Sequence, residues 1–145
     1  MSKELRTALG IALKSDKLAG EVLARGTALV GDISLSFSQT SSSRAATSAA
    51  WSKVIEITAK DSDGNIHTWL NATYTSKVTA GDTSTAGTAS VGSANITFVD
   101  GVAKVTLSGS AAAWLATETA TLTVANLTIL GFTVTGGTHV VTITA

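Results

Sequence analysis

The sequence predicts a mainly β fold, an antiparallel β-sandwich, because short alternating runs are separated by turn residues. In one run Ala120, Leu122 and Val124 alternate with threonines, which puts apolar side chains on one face of a strand and hydroxyl groups on the other. This alternation is typical of a half-buried antiparallel strand. Two further runs flank Asp100-Gly101, a dipeptide that favours a two-residue hairpin turn. We therefore predict a hairpin over residues 95–108.

The C-terminal residues predict a second hairpin. Residues 127–135 and 138–144 are rich in strand-forming residues and flank Gly136-Gly137. The apolar positions change face at Gly131, which predicts a β-bulge there. With the first hairpin, this segment reads as a series of consecutive strands.

The first half of the predicted sandwich alternates strands with polar connections. Residues 33–38 alternate Ile, Leu and Phe with serine, and residues 53–60 resume the alternation. Between them, the Ser/Thr/Ala-rich residues 39–50 predict a loop. Residues 61–65 (Asp-Ser-Asp-Gly-Asn) predict a turn.

Trp69 is a candidate contact residue in this half. Residues 66–75 predict a strand, in which Trp69 shares the polar face with His67 and Asn71. An aromatic ring on the polar face of a strand is a candidate for binding a partner. The alternative is that a bulge turns Trp69 into the core or that a loop covers it.

The spacing of strands and turns narrows the fold class. Residues 76–93 are low in complexity and too long for a plain loop, so we expect short edge strands around Val78 and Val91. The total is then roughly seven to nine short strands with regularly spaced turn signals, and the chain has no proline. An immunoglobulin-like antiparallel β-sandwich over residues 27–145 fits this count best.

Residues 1–26 differ from the rest and predict a short N-terminal helical extension. Leucine, alanine and valine recur at spacings of three and four, which marks an amphipathic helix. Gly10 and Gly20 each cost roughly 1 kcal/mol relative to alanine, so this helix needs a surface to pack on. That surface is either one end of the β domain or a partner protein, to which the extension would act as an anchor. The apolar stripe that would make the contact contains Leu5, Leu9, Leu13, Leu18 and Val22.

The composition indicates a neutral protein without cysteine. Ten basic residues balance ten acidic ones, which argues against binding to nucleic acid or electrostatic binding to an anionic membrane. Charged residues make up only 14% of the chain, and a surface of this kind suits a protein fixed in an assembly. The sequence shows neither a bilayer-spanning apolar run nor a secretory signal. We expect a protein made in a cytoplasm and kept there or loaded into a particle.

No motif predicts catalysis, a metal site or a cofactor. His67 and His139 have no acidic neighbour in sequence, and the chain lacks a Gly-x-Ser-x-Gly nucleophile motif. Residues 61–65 resemble the beginning of a calcium loop, but Gly64 comes at the fourth rather than the sixth position, so a plain turn is favoured. We expect Trp114 to plug one end of the sandwich rather than to bind a ligand.

Several stretches resemble the bacterial immunoglobulin-like (Big-type) repeats. They are residues 96–107 (Ile-Thr-Phe-Val-Asp-Gly-Val-Ala-Lys-Val-Thr-Leu), Trp114-Leu115 and residues 119–124 (Thr-Ala-Thr-Leu-Thr-Val), with residues 60–69 and 81–90 adding to the likeness. A helical start followed by one such domain is similar to small structural proteins of tailed bacteriophages. The resemblance covers roughly residues 51–145 and, more loosely, the helical start.

The resemblance implies a non-enzymatic structural protein of a virion, made in the host cytoplasm. The role it favours is capsid decoration, with the N-terminal segment docking on the major capsid protein or another virion protein and with oligomeric or lattice-bound copies. Such domains carry no catalytic residues and no cofactor. The alternatives are a tail component that oligomerises through sheet edges, and a module that binds a carbohydrate or host surface through Trp69, His67 and Asn71.

Overall fold

The computed structural model describes residues 33–145, which form twelve short β-strands and no helix. The predicted helical anchor of residues 1–26, with its candidate contacts Leu5, Leu9, Leu13, Leu18 and Val22, lies outside the described residues. The strands are β1 (Ser34–Phe37), β2 (Ser41–Ala45), β3 (Trp51–Lys60), β4 (Ala72–Tyr74), β5 (Val78–Asp82), β6 (Ala89–Val91), β7 (Ile96–Phe98), β8 (Val102–Gly109), β9 (Thr119–Val124), β10 (Leu127–Ile129), β11 (Phe132–Val134) and β12 (Gly137–Thr144).

Eight of these strands form two four-stranded sheets. The first sheet has the order β1-β3-β8-β6 and the second the order β2-β12-β9-β5. Neighbouring strands are antiparallel except for β2 and β12, which pair in parallel from Ser41–Val140 to Ala45–Thr144. The remaining strands form two small antiparallel ladders, β4 with β7 and β10 with β11.

One hydrophobic core joins the two sheets. Alternate residues of each strand point inward, so Ile55 and Ile57 from the first sheet and Leu122 and Ile143 from the second are almost fully buried in the same cluster. The predicted mainly β, sandwich-like character is therefore confirmed for the described residues.

The pairing registers show which strand ends lie at the same end of the described domain. In the first sheet Ser34 pairs with Lys60, so β1 begins where β3 ends. In the second sheet Val124 pairs with both Val78 and Gly137, so β5 and β12 begin where β9 ends. Residues 33–35 and 132–136 line a common groove, so these two sheet ends lie together.

We call this the loop end, formed by residues 61–71, 99–101 and 125–136. The opposite end is formed by residues 46–50, 83–88 and 110–118. It is closed by Trp51 and Trp114, whose rings meet edge to face with centroids 5.4 Å apart. Trp114 is only 1% exposed, which confirms that it plugs an end of the sandwich.

The prediction of a hairpin over residues 95–108 is only half right. The turn at Asp100-Gly101 forms, and Val99 and Val102 exchange backbone hydrogen bonds of 2.9 and 3.0 Å. Both central residues have positive φ, 49° and 78°, as a type I′ turn requires. The strands beyond the turn nevertheless separate, because β8 is paired on both edges, by β3 and β6, and β7 pairs with β4.

The prediction of a long C-terminal hairpin is wrong. Residues 127–134 fold back on themselves as β10 and β11, with Gly131 in the turn rather than in a bulge, and β12 pairs with β9 and β2. A positive φ at Leu130 and Gly131 allows this two-residue turn. The predicted edge strands around Val78 and Val91 are confirmed as β5 and β6.

Two further boundaries were wrong. Residues 39–50 contain β2, a strand of polar residues whose pairing with β12 the apolar alternation does not reveal. Residues 66–71 belong to a loop, and of the predicted strand 66–75 only Ala72–Tyr74 is extended. Backbone hydrogen bonds hold this loop against the end of β3. For example, the His67 N–H donates to the carbonyl oxygen of Ala59 in β3 at 2.9 Å.

Candidate binding surface at the loop end

Exposed apolar side chains gather at the loop end. Among residues 33–145, seven large apolar side chains are exposed, and five of them lie here. The other two are Val54, on the outer face of β3, and Leu115, at the opposite end. Five exposed apolar side chains make this end of the domain a better candidate for a contact surface than the opposite end, where Leu115 is exposed. The five are Ile66, Trp69, Val99, Leu130 and Phe132.

Asp61 fixes the beginning of the first loop. Its Oδ1 accepts the backbone N–H groups of Asp63 (2.9 Å) and Asn65 (2.8 Å), and its Oδ2 accepts the Asn65 side-chain amide (3.1 Å). The hydrogen bonds donated by Asn65 lower the pKa of the Asp61 carboxyl below its ordinary value, and the bond donated by the Asp63 N–H has a smaller effect in the same direction. The predicted turn is thus confirmed, and its carboxylate already has donors within the loop.

Trp69 and His67 lie in the same loop but at different depths. Trp69 is 43% exposed, whereas His67 is 4% exposed beneath it. The Trp69 Nε1–H donates to the His67 Nδ1 at 3.2 Å, so Nδ1 is the acceptor and the ring proton resides on Nε2. The His67 Nε2 is buried with no hydrogen-bond partner among the described residues. Trp69 is thus the exposed member of the pair, and His67 orients its indole from below.

The turn at residues 99–101 packs directly on this loop. The Gly101 N–H donates to the Leu70 carbonyl oxygen (2.9 Å), and the Asp100 N–H donates to the Asn71 Oδ1 (2.9 Å). The side chain of Asn71, a predicted contact, is therefore engaged in joining two loops. Val99 stands on a turn that this network holds in place.

The β10–β11 hairpin presents the remaining two apolar residues. Leu130 is 67% exposed at its tip and Phe132 is 44% exposed beside it. The hairpin is anchored below by Leu127, Ile129 and Val134, which are buried in the core. An apolar side chain is thus held outward on a supported hairpin.

A groove runs between this hairpin and the first strand. Its volume is about 470 Å³, and its walls come from Ile33, Leu35, Phe132 and Val134 together with the polar residues between them and Gly136. Ile33 is the first described residue, so residues 1–32 join the domain at this groove.

Two observations on the described residues bear on metal binding and on catalysis. Residues 33–145 contain no group of three or more His, Cys, Asp or Glu side chains placed to hold a metal ion. A histidine–serine pair does occur, at 2.9 Å between the His139 Nε2 and the Ser42 Oγ, while the His139 Nδ1 donates to the Gln39 carbonyl oxygen at 2.6 Å. His139 is fully buried, and the pair links β2 to β12. The hydrogen bond between Ser42 and His139 therefore supports the pairing of β2 with β12, and the buried His139 ring is not accessible to a substrate.

Sequence reasoning missed four of the five exposed apolar residues. Ile66 was expected on the face of a strand opposite Trp69, and Leu130 and Phe132 within the predicted strand of residues 127–135. The available signal was local: Val99 precedes the two-residue turn Asp100-Gly101, and Leu130 is itself the first residue of the two-residue turn Leu130-Gly131. An apolar residue in or next to such a turn is exposed because the turn points away from the core.

Comparisons of the chain with family models, curated proteins and solved structures returned no match. In the part of the chain that the structure describes, no helix is long and apolar enough to span a membrane.

Proposed function

We propose that this chain is a non-enzymatic structural protein of a bacteriophage virion that docks on the major capsid protein or another virion protein. The observation that carries the proposal is the gathering of five exposed apolar side chains at the loop end, where residues 1–32 also join the domain. Both contact elements, the N-terminal segment and the loop end, would then face the same partner. The low content of charged residues supports a fixed place in an assembly.

We further propose that the domain is an immunoglobulin-like sandwich. The strand order β1-β3-β8-β6 corresponds to the four-stranded sheet of such domains, and β12-β9-β5 to the three strands that face it. The loop end would correspond to the end at which variable immunoglobulin domains carry their binding loops. That correspondence supports the choice of this end as the docking surface.

Docking on a symmetric shell needs little affinity per copy. Several weak contacts made by one molecule raise the overall affinity, because each contact after the first forms within an already bound molecule. The N-terminal stripe and the loop end would act as two such contacts. The capsid decoration role therefore requires no large or deeply apolar interface.

The test is co-sedimentation of the full-length protein with purified capsids that lack it. We expect saturable binding at a fixed ratio to the capsid subunit. Serine substitutions at Leu5, Leu9 and Leu13 should weaken the binding strongly, and Trp69→Ser should weaken it further. Leu115→Ser, an exposed apolar residue at the opposite end, is the matched control and should leave binding unchanged. Absence of wild-type binding to capsids, with assembly into rings or tubes, would instead assign the protein to the tail.

A second candidate function is recognition of a carbohydrate or host surface through Trp69. The observation in its favour is that the indole is 43% exposed while its Nε1–H is held by His67, so the ring face has a fixed orientation for stacking. Trp69→Ala should then abolish binding in a glycan array while lowering the unfolding free energy by only about 1 kcal/mol. Retention of glycan binding by Trp69→Ala would exclude this role.

A further inference from the structure

The groove at the loop end has an apolar wall on each side and is open to solvent between them. Leu35 contributes to one wall and Phe132, 44% exposed, to the other. Val134 also lines the groove and is buried. A groove of about 470 Å³ is of the size that takes a few apolar side chains.

We propose that residues 28–30 of the same chain occupy this groove. They are Ala28, Leu29 and Val30, a short apolar run that Gly31-Asp32 separates from Ile33. Because Ile33 itself lines the groove, Leu29 is tethered four positions away, a reach of at most roughly 14 Å. A tether this short gives an effective concentration of roughly millimolar or more, so weak apolar contacts suffice for docking.

Docking of residues 28–30 fixes where residues 1–26 leave the domain. On this proposal residues 1–26 would leave the domain near Phe132, at the end that also carries Trp69. This inference does not depend on the identity of the partner. A protein that bound no capsid would still show the groove filled.

Disulfide trapping in the full-length chain tests the proposal directly, since the chain contains no cysteine. The groove pair is Ala28→Cys with Thr135→Cys, because Thr135 lines the groove and is exposed. The comparison pair is Ala28→Cys with Ser62→Cys. Ser62 is also exposed and follows Lys60, which pairs with Ser34, so it lies at the same end but does not line the groove. Both pairs leave Leu29, Val30 and Phe132 intact.

We expect the groove pair to form a disulfide within one chain roughly tenfold faster than the comparison pair, the factor given by a preference of about 1.4 kcal/mol. Adding Leu29→Ser and Val30→Ser to both pairs should remove most of this difference, because the tether remains while the apolar contacts are lost. Equal rates in the original background would overturn the proposal, since they would mean tethering without docking. Disulfides between two chains would overturn it as well, because the occupant would then be a second copy.

Discussion

Leu130 holds a backbone conformation that hairpin turns normally give to asparagine or glycine. Its φ is 51° and that of Gly131 is 85°, so both central residues of the turn are left-handed. A branched side chain in that region costs roughly 1–2 kcal/mol. The same side chain is 67% exposed, so it recovers little of this cost through burial. Strain and exposure together at a loop tip make Leu130 a candidate contact residue.

Replacing Leu130 by asparagine separates stability from binding. Leu130→Asn should raise the unfolding free energy by about 1 kcal/mol, because asparagine tolerates positive φ, and should weaken binding to the partner. Leu130→Ala is the control, since it removes the apolar side chain but keeps a residue that disfavours positive φ. Urea unfolding measures the first effect and capsid co-sedimentation the second. An asparagine variant no more stable than wild type would mean that the turn is unstrained.

Gly101 combines a positive φ with close backbone contact. A Cβ built there would lie 2.5 Å from the His67 carbonyl oxygen, whereas a Cβ at Gly64, which also has a positive φ, would meet nothing within 4 Å. Gly64→Ala should therefore cost only the conformational penalty of about 1 kcal/mol. Gly101→Ala should cost at least about twice as much, because loop 61–71 must also move. Equal losses in urea unfolding would show that the two loops are not closely packed.

At the level of elements, Glu118 ties together two connections of the opposite end. Its carboxylate accepts the Leu115 N–H (2.8 Å), the Thr85 N–H (3.0 Å) and the Ser84 hydroxyl (2.8 Å). The backbone hydrogen bond from Leu115, followed by that from Thr85, lowers the pKa of Glu118 from its ordinary value of 4.5. The charged form is therefore favoured by folding.

This lowered pKa predicts acid sensitivity with a definite sign. The contribution of Glu118 to stability is fully present above pH 4.5, the ordinary value, and is lost as the pH falls through the lower pKa of the folded state. Glu118→Gln should be less stable than wild type at neutral pH, and the difference between the two should shrink on acidification. Urea midpoints measured across that range provide the check. A stability difference between Glu118→Gln and wild type that stayed constant with pH would contradict the lowered pKa of Glu118. Because the pKa of Asp61 is also lowered, the variant should keep some acid sensitivity.

The buried pair of Ser42 and His139 secures the parallel strand β2. The serine hydroxyl is the hydrogen-bond partner of the fully buried His139 Nε2, at 2.9 Å. Ser42→Ala leaves that nitrogen without its partner, so we expect a loss of about 1–3 kcal/mol in unfolding free energy and faster amide exchange along β2. Ser43→Ala, on the outer face of the same strand, should have little effect on either measurement. Unchanged exchange in Ser42→Ala would show that backbone pairing alone holds β2.

The sequence predicted those elements whose pattern arises within the element itself. The alternation at Ala120, Leu122 and Val124 identified β9 because one of its faces is buried, and Asp100-Gly101 identified a turn because glycine supplies positive φ. Strand partners did not follow, since β8 has neighbours from distant parts of the chain. The edge strand β2 was missed because its serines and arginine have no apolar alternation. The loop-end surface was missed for a different reason: only the pairing of distant strands brings its loops to one end of the domain.

At the scale of the whole molecule, the two ends of the domain differ in what closes them. The opposite end is closed by Trp51, Trp114 and the hydrogen bonds of Glu118, so its apolar side chains are mostly internal. The loop end is held by backbone and Asn71 hydrogen bonds, and its apolar side chains point outward. The domain therefore has one end closed by buried side chains and one end that exposes apolar side chains.

This separation predicts opposite outcomes for two tryptophan substitutions. Trp114→Ala removes a side chain that is 1% exposed and should lower the unfolding free energy by about 3–5 kcal/mol. Trp69→Ala removes a ring that is 43% exposed and should cost about 1 kcal/mol, while reducing partner binding at least as much as Leu130→Ala does. Urea unfolding of both variants measures the loss of stability. Capsid co-sedimentation measures binding, under conditions in which Trp114→Ala is still folded. A large stability loss in Trp69→Ala, or normal partner binding by it, would mean that the loop end is a structural cap and that the contact surface lies elsewhere.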